Sequence, residues 1–302
     1  MDLKHVIQIA QKKLTAFYQR ANKLSGGTLE IIRIAVERFG EERGSEAAAS
    51  LGYYAFFSIF PMLLVFIVVG SFFMDKRVVQ DQLLTALQGT IPMAESLVIL
   101  NINHVLELRG TVTLIALVSL IWVSTNVFNI LAMNINRAFL RAERLDFVKG
   151  RLRALMIFFG LGFLLLLSLA VSTLIGLIPT IELPITGVNL NETIIWKVGV
   201  YMVSILLNWL MFWALYQWVP TVSVSRRASL IGGLIAGVTW MLLNNSFSWF
   251  LSSSLNQYQL VYGSLGSIVA LLFWVYLTAI IMLMGAHLTE SIQRARQQRS
   301  DG

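Results

Sequence analysis

Six runs of predominantly apolar residues, at about 47–74, 111–136, 154–178, 195–219, 228–251 and 265–288, decide what this chain can become. Each is about 20 residues or longer, the length an α-helix needs to cross the roughly 30 Å hydrocarbon core of a bilayer. No water reaches that depth, so a spanning segment must satisfy its own backbone polar groups, as a helix does. With 57% hydrophobic and 13% charged residues, the chain lies far from the balance of a soluble domain. It reads as an all-α, polytopic membrane protein with six transmembrane helices.

The distribution of Lys and Arg orients these helices. Residues 1–46 hold 8, the loop from Arg137 to Arg153 holds 6, residues 220–228 hold 2 and the tail holds 3. The alternate loops hold 3 in residues 75–110 and none in 179–194 or 252–264, with Lys197 just inside the fourth run, so the bias is 19 against 4. Basic residues collect in cytoplasmic loops, which places both termini in the cytoplasm. The net charge of +7 then records topology rather than nucleic-acid binding. Residues 1–46 form a cytoplasmic arm of amphipathic helices. One carries Leu3, Val6, Ile7, Leu14 and Phe17 opposite Lys4, Lys12 and Lys13; a second sets Leu29, Ile32, Val36 and Phe39 on one face. Residues 47–290 make the membrane domain and 291–302 a cytoplasmic tail. Residues 75–110 form a helical extracytoplasmic segment between the first two spans.

The second span carries the most informative polar pattern. In Ser119–Arg137, the side chains of Trp122, Asn126, Asn129, Met133, Asn136 and Arg137 fall within one sector of about 100°. Amides in hydrocarbon are costly without partners, so this sector is expected to face protein or a wet cavity. Asn208 in the fourth span and Asn244 and Asn245 in the fifth extend the same pattern. At the cytoplasmic ends stand Glu46, Arg137, His287 and Glu290. A cationic, amide-rich mouth of this kind suits an anionic headgroup. Its bland counterpart is a helix-end clamp between Glu46 and Arg137, with the asparagines as interhelical glue. Tyr53 shares a face with Glu46, and Pro61 is a candidate hinge within the first span. Gly233 and Gly237, four residues apart, permit close helix approach, within the bundle or in a dimer.

Enzyme chemistry is disfavoured. There is no cysteine. The three histidines, His5, His104 and His287, fall on opposite sides of the membrane in this topology and cannot share a metal. No phosphate-binding loop, nucleophile elbow or H-E-x-x-H pattern occurs. No metal or other cofactor is expected.

The motifs Ala48-Ala49-Ser50-Leu51-Gly52-Tyr53-Tyr54-Ala55-Phe56-Phe57-Ser58-Ile59-Phe60-Pro61 and Trp122 to Arg137 resemble the first two span signatures of the YihY/virulence factor BrkB family. Val219-Pro220, Tyr258 to Gly263, Trp274-Val275-Tyr276 and Gly285-Ala286 resemble its C-terminal half, in the same order. Two departures stand out: Val123 separates Trp122 from Ser124, and His287 follows Gly285-Ala286 where the family pattern often has an acidic residue. The resemblance implies a six-span protein of the bacterial inner membrane with a role in the envelope. The ribonuclease BN label that members have carried fits poorly with the scattered histidines.

Two readings follow. In the first, the protein transports a solute or translocates lipid through a polar cleft lined by Asn126, Asn129, Asn136, Asn208, Asn244 and Asn245, with Arg137 meeting an anionic lipid or solute. In the second, the same residues are packing contacts of a structural or regulatory membrane protein. Membrane lipids are the expected partners, nucleic acid is not, and the oligomeric state is left open.

Overall fold

The computed structural model describes residue 22 and residues 25–70, 114–143, 146–160, 163, 194–262 and 265–300. The amphipathic stripe of residues 3–21, the segment 75–110, most of the third expected span and the loop 179–193 lie outside the described residues. Among the described residues every regular element is helical. The elements are α1 (Thr28–Glu41), α2 (Gly44–Gly70), α3 (Leu114–Ser124), α4 (Asn126–Ala138), α5 (Ile194–Trp218), α6 (Arg226–Tyr262) and α7 (Leu265–Ser300), with a further helical stretch at 147–160.

Three stretches are long and apolar enough to cross a membrane by length and composition: Val118–Ala138, Arg226–Leu251 and Ile268–Gln298. The first of these joins α3 to α4 across Thr125 alone. Its helical bonding continues there, since Thr125 N donates to Ile121 O at 3.0 Å and Asn129 N to Thr125 O at 3.0 Å. At the interruption the Trp122 carbonyl accepts the Thr125 hydroxyl at 3.0 Å and also the Arg151 guanidinium. A side-chain donor on a helical carbonyl competes with the backbone bond it would otherwise receive, which accounts for the irregular residue.

Two helices outrun their sequence limits. α6 continues to Tyr262, through residues expected to be a loop, because no Gly or Pro stands between Leu251 and Gly263 to stop it. α7 likewise carries the expected tail, up to Ser300, as one 36-residue helix. α2 passes through Pro61 without ending, so the candidate hinge lies inside a continuous helix.

α7 is the axis of the assembly. It packs against α6, α2, α1, α4 and α5, while α6 also packs on α5, and α2 on α3 and α4. Buried Ile135, Leu131, Phe212, Tyr216, Trp240, Trp274 and Leu283 form the shared core. Gly233 and Gly237 serve this interior: a Cβ on Gly233 would stand 2.7 Å from the backbone nitrogen of Trp213, and one on Gly237 would stand 3.6 Å from Trp209 Cα. Backbone cannot yield as a side chain can. Gly233→Leu is therefore expected to cost about 1–3 kcal/mol or more through overpacking. A lower melting temperature in detergent, followed by tryptophan fluorescence, would register it; an unchanged melting point would place α5 and α6 further apart.

α1 forms where expected but turns a different face inward. Ala35, Arg38 and Phe39 are buried, whereas Leu29, Ile32 and Val36 are exposed. The reason lies on α7, where Glu290 holds the Arg38 guanidinium and draws that side of the helix in.

Candidate functional site

The side chains that organise the site come from helix ends and the loops between them. Asn136, in the last turn of α4, is buried and makes three hydrogen bonds. Its amide nitrogen donates to the Glu143 carbonyl at 2.7 Å, and its oxygen accepts the Thr221 backbone N–H at 2.8 Å and the Thr221 hydroxyl at 3.0 Å. One amide thus ties the loop after α4 to the loop between α5 and α6. Gln293 of α7 closes the third side: it accepts Ser225 N–H at 3.0 Å and donates to the Ser223 carbonyl at 3.4 Å.

These three strands of chain enclose a polar cavity of about 500 Å³, walled by Leu140, Arg141, Ser223, Glu290, Gln293 and Arg294 among others. Gln297 and Gln298 extend the same wall. Beside it lies an ion-pair triad. Glu290 receives Arg38 at 2.7 Å on one oxygen and Arg294 at 2.7 Å on the other. The Arg38 and Glu290 side chains are 10% and 6% exposed, so water contributes little to holding them. His287, one turn earlier on α7, is buried edge-on against Phe39, with ring centroids 5.9 Å apart. Arg141 and Arg294 give the cavity two guanidinium groups, one of them shared with a carboxylate, and the three glutamines supply donors and acceptors. Such a lining can bind an anion by charge-assisted hydrogen bonds.

The residues singled out from the sequence are distributed differently. Asn136 borders the cavity as a staple. Asn126 accepts Arg151 at 2.7 Å, and Asn244 accepts the Trp274 indole N–H at 2.9 Å. Asn129 reaches Met133 Sδ at 3.9 Å, Asn208 faces Gly237 between α5 and α6, and Asn245 is exposed. Among the described residues the six do not share one cleft. The polar sector of the second span faces largely outward, with Trp122, Met133 and Arg137 exposed. Leu131, Ala132 and Ile135 face the core instead, because α2 and α7 offer apolar surface to that side. Glu46 pairs with Arg43 at 3.4 Å, on the surface, rather than with Arg137. Arg137 stands exposed in the last turn of α4, where a cation suits the helix C-terminus, with no ion pair among the described residues. Tyr53 is exposed and meets Tyr54 edge-on and Phe57 at a tilt, with ring centroids 5.4 and 4.8 Å apart.

Sequence reasoning missed two buried arginines. Arg38 was hidden because its partner lies 252 residues away. Arg151 reads as one more charge in a basic loop, yet it is buried, with its guanidinium 3.6 Å from the centre of the Trp122 ring. The Trp-x-x-x-Asn spacing of Trp122 and Asn126 was the available signal, since it offers a ring and an amide on one face.

A model of the virulence factor BrkB family matches residues 35–302. The ribonuclease-like protein YfkH of Bacillus subtilis is 22% identical over 271 residues, 89% of this chain and 97% of that protein. A UPF0761 membrane protein of Cronobacter sakazakii is 41% identical over 95 residues, and one of Yersinia pestis 39% over 95 residues. Those two matches cover 32% of this chain and 32% of each relative. No solved structure matches.

Proposed function

This chain belongs to the virulence factor BrkB family, and from that premise we propose that it is a non-enzymatic inner-membrane protein that moves an anionic solute or lipid headgroup across the envelope membrane. The proposal includes six spans with both termini in the cytoplasm, following the 19-to-4 bias in Lys and Arg. The observation that carries it is the polar cavity beside Arg141 and Arg294. It sits among loops assigned to the cytoplasmic side, where an anion would first meet the protein. Arg137, exposed, with no ion pair among the described residues and three residues before Leu140, would draw the anion toward the cavity.

The second reading, a structural or regulatory membrane protein, is favoured for Asn136 and Asn244 by their internal bonds. Flux separates the two. Proteoliposomes carrying a fluorescent anionic phospholipid in both leaflets report translocation as reagent-accessible signal. Transport predicts faster equilibration than in empty vesicles and a loss of about tenfold in Arg141→Ala, one charge-assisted contact being worth roughly that factor. The Arg137→Ala and Asn129→Ala variants test the approach path. If labelled phospholipids and small organic anions both equilibrate no faster than in empty vesicles, the structural reading takes its place.

A further inference from the structure

A second cavity, also of about 500 Å³, shares no wall residue with the first. It is a groove between the helical stretch 147–160 and the C-terminal half of α5, walled by Met156, Ile157, Leu210, Ala214 and Trp218, with Gly160 on its floor. Its lining is apolar except at one end. There Arg153 anchors itself by donating from Nη1 to the Val219 carbonyl at 2.7 Å, just beyond the last residue of α5. A guanidinium has five N–H donors, so that one bond, its only one among the described residues, leaves others for a ligand. Gly160 adds no side chain to the wall of the groove. A Cβ built there meets no atom of the described residues within 4 Å, so the position is not a tight helix crossing among them.

An apolar trough of this volume falls within the ~300–1,000 Å³ typical of ligand sites, and a cation at its end fixes the polarity of what can fill it. We infer that the groove is a binding site for an anionic phospholipid, with an acyl chain along Gly160 and the phosphate on Arg153. Charge complementarity supports this occupant: the arginine stands where a span meets a loop that also holds Arg141 and Lys149. A zwitterionic lipid would fill the trough but neutralise the arginine less well. The inference rests on the membrane placement proposed above and not on transport.

The test is native mass spectrometry of the full-length protein in detergent, titrated with phosphatidylglycerol or phosphatidylcholine. The wild type should retain phosphatidylglycerol about tenfold more tightly, as expected for a charge-assisted contact. Gly160→Leu, whose Cβ has room among the described residues and whose branched end would extend into the trough, should weaken both lipids, and Arg153→Ala should abolish the preference between them. Arg153→Lys, which keeps the charge, guards against a loss caused by the broken Val219 contact and should retain part of the preference. Leu152→Ala, exposed on the same helix but off the groove, should change nothing. Equal retention of the two lipids by the wild type, or unaltered binding in Gly160→Leu, would overturn the site. So would a Gly160→Leu variant whose only change is a lost dimer, since a second copy would then be the occupant. Flux reports on the polar cavity and lipid retention on the groove, so either idea can fail while the other stands.

Discussion

Glu290→Ala is expected to be the most damaging single change in this protein, with a loss of about 3–5 kcal/mol, as when one partner of a buried ion pair is removed. Glu290 is the only carboxylate in contact with Arg38 among the described residues, and it holds Arg294 as well. Its removal leaves Arg38 as a buried cation with no counter-charge, pressed against α7. The same substitution should loosen α1 from the bundle, seen as faster amide exchange over residues 28–41 together with a lower melting temperature. Arg38→Ala should destabilise by a similar amount. Arg38→Met with Glu290→Leu removes both charges and should recover much of the loss, because well-packed apolar pairs often match buried ion pairs in stability. If Glu290→Ala melts with the wild type, the pair is not buried in the membrane-embedded protein.

Asn136→Ala comes next. It deletes three hydrogen bonds and leaves the Thr221 N–H without its acceptor, while the Glu143 carbonyl keeps only the longer bond from the Thr221 hydroxyl, at 3.4 Å. A buried group left unpaired costs about 1–3 kcal/mol, and with Thr221 half-buried and Glu143 exposed the loss should lie toward the lower end. Asn136→Asp keeps the acceptor for Thr221 but loses the donor to Glu143, so its effect should fall between alanine and wild type. Because Leu140, Arg141 and Ser223 belong to the two loops that Asn136 joins, any flux through the cavity should fall as well, even though Asn136 does not line it. Hydrogen exchange confined to residues 139–143 and 219–225 would locate the damage. Uniform exchange across all helices would show that the residue supports the whole bundle instead.

These two residues also mark where sequence reading succeeds and stops. Helical class followed from run length, since a 20-residue apolar block in lipid has few other ways to satisfy its backbone. The small-residue contact at Gly233 was equally readable, because only close backbone approach makes such spacing useful. Which face of a helix turns inward was not. The asparagine sector around Asn129 and Met133 looked like an inner face by polarity, but the packing of Leu131, Ala132 and Ile135 decided the rotation. Arg38 and Glu290 are both plain in the sequence, yet nothing local pairs residues so far apart. The polar cavity was similarly hidden, as its walls come from two loops and a helix that meet only in three dimensions.

One consequence of α7 extends beyond any single contact. At about 1.5 Å per residue its 36 residues make a rod about 54 Å long, well over the thickness of a hydrocarbon core. Its N-terminal portion packs among the other helices, while the last three turns carry Glu290, Gln293 and Arg294 past the cavity. α7 is one unbroken helix over that length. A tilt imposed by lipid thickness or by a neighbouring span therefore swings its C-terminal end as a lever, about 9 Å for ten degrees over the full length. Arg38 and α1 ride on that end through Glu290, and the α5–α6 loop rides on it through Gln293. Bilayer mechanics and the width of the cavity are thus geared together by one helix.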